Sequence, residues 1–463
     1  MNFTPSTDPL PIAMTTLPPP RRPRASVGRL LLCLWLTVLV AGPAPRAAAG
    51  ALEDYVHRPD TNYAWRLTGA AATNGGPSAR VRLTSQRWRD GLWQHDLRIV
   101  RPAVVRNPDI AFLFITGSGS GEKEELMLRL IIERAGAVGA VLTQVPNQPL
   151  YDGRKEDALI AYTFSQYLAT GDTDWPLLFP MVKSAVRALD TLRDYSKQEN
   201  GQEIRRFVVA GASKRGWTTW LTAAVDERVA GIAPMVIDML NMRQQTAWAA
   251  KVYGRQSEQI RDYTDAGLVG GKEDPRRAQL REWVDPYSYR ARYRMPKLIL
   301  LGTNDPYWTV DSLRHYWADL PEPKLVYQTP NAGHNLNGGF EALPTLATFF
   351  QLVADRKPLP EAHWQIEARP NELTLQSHVN VPAISARMWT ATSTNRDFRG
   401  ARWTSSPVAL GDDHRTAEIK VTAPATGHQA FLLETEVLGP TGEPYHLSTE
   451  ARVLPDLPRD GGK

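Results

Sequence analysis

The 463-residue sequence predicts an α/β protein: a doubly wound, mostly parallel sheet with a helical cap insertion, followed by an antiparallel β-sandwich domain. Three observations predict it. Short apolar strands alternate with helix-periodic segments from about residue 110 to 355, the pattern of a parallel sheet covered on both faces. A polar stretch at 239–294, rich in Arg, Tyr and Trp, separates two of those strands, and an insertion of that length forms a cap over an α/β site. Beyond Pro358 and Pro360 the period shortens to two residues, as in Thr416 to Val421 and Phe431 to Val437, with Gly/Pro turns between.

The chain divides accordingly into a leader at 1–49, an α/β domain at 50–357 and a sandwich at 361–463. In the leader, Arg21, Arg22, Arg24 and Arg29 precede the apolar run from Leu30 to Val40, and Ala47-Ala48-Ala49 offers an A-x-A cleavage site. This order predicts export to the periplasm or beyond, and the run is too short for a permanent membrane span. Pro23-Arg24 fits a twin-arginine signal poorly. With Arg46 opposed only by Asp8, the leader also accounts for four of the five net positive charges, so the remainder gives no reason to expect a nucleic-acid partner. Cys33, the only cysteine, lies in the leader, so the mature chain would be compatible with an oxidising compartment without requiring one.

Within the α/β domain, alternation over about 81–105 (Leu92, Trp93, Leu97, Ile99) reads as strand ended by Pro102. Ile110 to Thr116 is an apolar strand leading into Gly117-Ser118-Gly119-Ser120-Gly121, and helical spacing starts at Glu122. Ala137 to Val145 is a buried strand, and 155–170 and 178–196 are helices. Strands follow at Phe207 to Ala210, Val229 to Ile237, Lys297 to Gly302 and Leu325 to Gln328, with a helix expected at about 308–319 between the last two. A final helix carrying Phe340, Leu343, Leu346, Phe349 and Phe350 runs to about 355.

The chemistry concentrates in three stretches. "VVAGASKRGW" (208–217) puts Ser213 on a sharp turn between a buried strand and a helix, as in the nucleophile elbow of an α/β-hydrolase. The G-x-S-x-G spacing is not met, because Arg215 occupies the second small position and Gly216 comes one later; a serine there also serves as a helix N-cap. "LILLGTNDPYW" ends a strand with Asp305, and "VYQTPNAGHNL" ends the next with His334, so the order Ser…Asp…His is that of the hydrolase triad. Asp311 reads as a helix cap, and His315 is a rival base within the expected helix. An oxyanion hole needs two converging N–H donors. Lys214 would supply one from its backbone, and Ser118 or Gly119 the other.

Other readings of these residues compete. The glycine-rich loop could cradle phosphate, but no G-K-[ST] completes a P-loop. No HExxH or paired cysteines appear, Asp412-Asp413-His414 reads as a turn, and neither cofactor nor metal is expected. Trp217, Trp220, Leu221 and Ala224 form a helical stripe of core type, whereas Trp308 beside the acid loop is placed to bind substrate. Two cations straight after the nucleophile oppose the helix dipole. Lys214 and Arg215 are therefore expected to direct at least one side chain at an anionic substrate group or the oxyanion.

"ITGSGSG", "GASKRGWTTWL", "GTNDPYW" and "NAGHNL", with the leader and the β-rich tail, resemble the PhoPQ-activated pathogenicity-related protein family over nearly the whole mature chain. The resemblance implies an α/β-hydrolase linked to bacterial virulence and resistance to antimicrobial peptides, and supplies no substrate. The elbow is also similar, more locally, to that of glucuronoyl esterases, where Arg directly follows the serine. The expected function is an exported serine hydrolase acting on an ester or amide of small-molecule, peptide or envelope origin. The alternative is an exported, non-catalytic binding protein on the same scaffold.

Overall fold

Backbone groups buried between two layers of helices must all find partners, which a sheet of neighbouring apolar strands provides. The computed structural model describes residues 50–73 and 76–457, all within one compact unit; the leader expected at 1–49 lies outside the described residues. After α1 (Ala51–His57) come three antiparallel neighbours, β1 (Ala64–Thr73), β2 (Gly76–Trp88) and β3 (Gly91–Val100). The alternating part follows: β4 (Ile110–Ile115), α2 (Glu122–Ala135), β5 (Val138–Leu142), α3 (Glu156–Thr170), α4 (Leu178–Asn200), β6 (Arg206–Ala212), α5 (Lys214–Val225) and β7 (Val229–Met235). The cap contributes α6 (Met242–Tyr253), α7 (Arg261–Asp265) and α8 (Pro275–Val284) before β8 (Lys297–Gly302), β9 (Lys324–Thr329) and α9 (Leu343–Ala354).

The sheet order is β1-β2-β3-β5-β4-β6-β7-β8-β9, parallel from β5 onward, which is an α/β-hydrolase arrangement. Alternate residues of the central strands enter opposite cores. Leu113, Val209 and Ile299 pack toward α3, α4 and α5, whereas Phe112, Val208 and Leu298 pack toward α2 and α9. Both faces are dry, which is why these strands read as continuous apolar runs rather than as alternation.

Two expectations are corrected. The single alternating stretch at 81–105 is a hairpin of β2 and β3 turning at Arg89 (φ 52°) and Asp90, and β1, poor in large apolar residues, was not anticipated. The helix expected at 308–319 is two 3-10 turns, Ser312–His315 and Trp317–Asp319. Here tertiary partners claim the groups a helix would use. Asp311 accepts from the Trp248 indole (2.9 Å) and pairs with Arg396 (3.0 Å) instead of capping, and the Ser312 carbonyl accepts from Gln245. The tail packs against one face and the end of the sheet.

That tail comprises β10 (Ala362–Arg369), β11 (Glu372–Val379), β12 (Ala383–Ser393), β13 (Thr404–Val408), β14 (Thr416–Thr422), β15 (His428–Leu438), β16 (Pro444–Ser448) and β17 (Arg452–Leu454). β10, β11 and β14 form one antiparallel sheet and the others a second. Leu373, Leu375 and Ile419 of the first face Phe431 and Leu433 of the second, making the sandwich core. Its loops also reach the ends of β8 and β9. Asn304 donates to the Ala401 carbonyl (2.6 Å), and Gln328 accepts from the Ala451 amide (2.7 Å).

Candidate active site

Ser213 ends β6 and opens α5 with φ 56° and ψ −124°, a strained conformation for a residue with a side chain. The neighbouring glycines make the turn possible. A Cβ on Gly211 would stand 2.7 Å from the Arg215 carbonyl oxygen, and one on Gly216 would stand 2.7 Å from Ile237 and 3.0 Å from the Met235 carbonyl. The second small residue is therefore required at 216, where helix meets sheet, and position 215 is left able to carry a long side chain. This explains the departure from G-x-S-x-G.

Ser213 Oγ lies 2.8 Å from His334 Nε2, and His334 Nδ1 lies 2.8 Å from Asp305 Oδ2. With the proton on Nδ1 donated to Asp305, Nε2 can accept a hydrogen bond from the Ser213 hydroxyl. Asp305 is 5% exposed, and its other oxygen accepts from the Tyr307 amide (2.9 Å). The Tyr307 ring stacks on the His334 imidazole with centroids 4.2 Å apart. His315, the rival base, has its ring edge-on against Trp248, at 5.3 Å.

The Lys214 amide occupies the first turn of α5, where N–H groups have no partner within the helix. The β4–β6 register pairs Ile115 with Gly211, so the glycine-rich loop leaves the sheet beside the elbow, where Gly117 packs against the Arg215 guanidinium. Ser118 and Gly119 follow Gly117 and line a cavity of about 420 Å³ with Trp88 and Tyr151, and the Ser118 hydroxyl accepts from Gln148 (2.9 Å). Ser213 and Lys214 open on a different cavity, of about 520 Å³, under the cap; Trp308 lines it, as does Trp217, which is also buried in the core.

Both cations are held by acids of the protein, and Lys214 also borders the cap cavity. The Arg215 guanidinium turns away from the cap cavity, grips Glu156 with two bonds of 2.7 Å, donates to the Val145 carbonyl (2.6 Å) and fills the space where a Gly117 side chain would be. Burial favours the neutral Glu156 carboxyl, but the Arg215 bonds and charge, with Gln148 and Lys214, overcome this and hold it at about 2. Lys214 lines the cavity, yet its ammonium is committed to Asp157 (2.9 Å), which also accepts from Tyr263 (2.9 Å). Sequence reasoning missed Glu156, Asp157 and Tyr307. A signal existed: two adjacent acids opening α3 complement two adjacent cations opening α5.

Behind the site, Asp238 is buried after β7 and accepts from the Tyr316 hydroxyl (2.7 Å). Burial, opposed by that bond and reinforced by Asp305, Asp311 and Glu450, raises its carboxyl to about 8. The folded state then holds a proton that the unfolded state releases near 4, so stability falls as pH rises from about 4 to 8. Asp238→Asn, which keeps the acceptor for Tyr316, should flatten that decline by up to about 1.4 kcal/mol per pH unit. Parallel unfolding curves for variant and wild type at pH 5 to 8 would refute it. Among the described residues, no group of three or more His, Cys, Asp or Glu side chains could hold a metal ion.

A family model for the PhoPQ-activated pathogenicity-related protein matches residues 52–399. Autocrine proliferation repressor protein A of Dictyostelium discoideum is 32% identical over 453 residues, covering 88% of this chain and 89% of that protein. Among solved structures, acetyl xylan esterases from Thermoanaerobacterium sp. (13% identity, TM-score 0.46) and Paenibacillus sp. R4 (14%, 0.47) cover 65% and 64% of the chain and 93% and 91% of their own. The glucuronoyl esterase from Solibacter usitatus (13%, 0.40) covers 65% of the chain and 91% of its own. None of these likenesses bears on substrate.

Proposed function

As the chain belongs to the PhoPQ-activated pathogenicity-related protein family, a name that specifies no reaction, we propose from its own geometry that it is a serine hydrolase cleaving an ester or amide, exported before it acts. The observation that carries this reading is the line of hydrogen bonds from Ser213 Oγ through His334 to Asp305, on a strained elbow at the edge of a cavity. Export rests on the order of cations, apolar run and small residues within 21–49.

Ser213 Oγ attacks the carbonyl carbon while His334 Nε2 takes its proton, and Asp305 stabilises the imidazolium. The carbonyl oxygen, now negative, accepts from the Lys214 amide and from the loop after β4. The bond to the leaving oxygen or nitrogen then breaks as His334 returns the proton to it. Water, deprotonated by His334, attacks the acyl carbon, releases the acid and restores the serine. Each step uses a group already oriented, so the reaction needs no rearrangement of the triad.

The test is a fluorophosphonate probe on protein from the envelope fraction, with the labelled residue and the chain's N-terminus both sequenced. Label on Ser213 and a start near Gly50 are expected. Persistent silence in folded protein would favour the non-catalytic binding reading, and intact residues 21–49 in the membrane would overturn export.

A further inference from the structure

The cavity beneath the cap is far larger than the transfer of a small acyl group requires. At about 520 Å³ it exceeds threefold the space of about 150 Å³ that admits a benzene ring. Its walls are mostly carbon. Phe164 comes from α3, Trp217 from α5, Met239 from beyond β7, and Met242, Leu268 and Leu280 from the cap. The charges around it are largely matched within the protein: Lys214 by Asp157, Arg277 by Asp274 and Arg281 by Glu273, with Arg243 exposed at the cap. Nothing in this wall calls for a charged or heavily hydroxylated ligand, and a slender apolar one would displace water from it.

Which part of the substrate enters is set by the triad. The acyl carbon becomes bonded to Ser213 Oγ, and Ser213 is part of the cavity wall. The leaving group must instead collect its proton from His334, which is absent from that wall and whose side chain is 25% exposed. We propose, resting on the hydrolase reading above, that the acyl half of the substrate is an unbranched aliphatic chain of about eight to twelve carbons lying under the cap, the leaving group departing past His334 to solvent. The volume admits this length with room for the chain's bends, since at six carbons per about 150 Å³ the cavity would hold at most about twenty. Methionines at 239 and 242 suit such a chain, because their unbranched side chains adapt to its bends.

The experiment is kcat/KM of the exported full-length protein on p-nitrophenyl acetate, butyrate, octanoate, decanoate and laurate, below their micellar concentrations. Each fully buried methylene is worth about fourfold. At least a 100-fold rise from acetate to octanoate is therefore expected. Ala250→Trp, an exposed α6 position at the cavity, should lower the octanoate-to-acetate ratio at least tenfold by filling the space. A flat or falling series in protein whose Ser213 takes the fluorophosphonate label would overturn the acyl assignment while leaving the hydrolase reading intact. So would an unchanged ratio in a folded Ala250→Trp. Neither turnover nor label would overturn both.

Discussion

Ser213→Ala should lower kcat on any ester the wild type turns over by about 10⁶-fold, the scale on which loss of a triad nucleophile acts. The alanine removes the Oγ bonded to His334 and leaves the elbow, the Lys214 amide and the cap cavity in place, so what is lost is covalent chemistry rather than binding. Asp305→Asn should cost less, about 10⁴-fold. With an amide at 305, the imidazole adopts the tautomer with its proton on Nε2, where it cannot accept from serine. Matched circular dichroism for the variants separates chemistry from folding. If Ser213→Ala retained more than a thousandth of wild-type kcat, another nucleophile would be at work and the triad assignment would fall.

Arg215→Met should unfold at markedly lower denaturant than wild type, the loss being about 3 kcal/mol. Breaking one side of a fully buried ion pair costs about 3–5 kcal/mol. The lower end applies because the Glu156 side chain is 37% exposed. The methionine leaves that carboxylate without its bidentate partner, the Val145 carbonyl without a donor and the space beside Gly117 poorly filled. Loosening of the loop after β4 should also lower kcat at least tenfold with less change in KM, since in the proposed mechanism that loop stabilises charge only in the transition state. The sign of the pH dependence is fixed as well. Glu156 is depressed from 4.5 to about 2, so its contribution is whole above 4.5 and is lost as pH falls toward 2. The gap between variant and wild type should narrow over that window. An unaltered unfolding midpoint, combined with selective loss of turnover on an anionic ester, would show instead that Arg215 meets substrate.

The outline of the site was legible because each of its parts follows a strand. Ser213, Asp305 and His334 stand just past β6, β8 and β9, whose apolar runs are visible without coordinates, and a parallel sheet brings the ends of such strands to one edge. The β-rich tail was legible from its two-residue period. Position 117 was harder. That Gly117 packs against Arg215 depends on how the loop after β4 lies against the elbow, which no local pattern encodes.

What the sequence determined by itself was therefore the order of elements and the residues at their ends, through periodicity, turn chemistry and the demand that buried backbone be paired. What only the tertiary structure decided was the partner of each charge. Arg215 and Lys214 look alike on paper as cations beside Ser213, yet one packs against Gly117 while held by Glu156 and the other borders the cap cavity beside Asp157. Those acids lie 57 to 59 residues away along the chain. Likewise, Asn304 beside the triad acid is tied to a sandwich loop 97 residues on. Periodicity reports forces acting between near neighbours in the chain, whereas an ion pair or a brace depends on distance in space, and packing alone sets that distance.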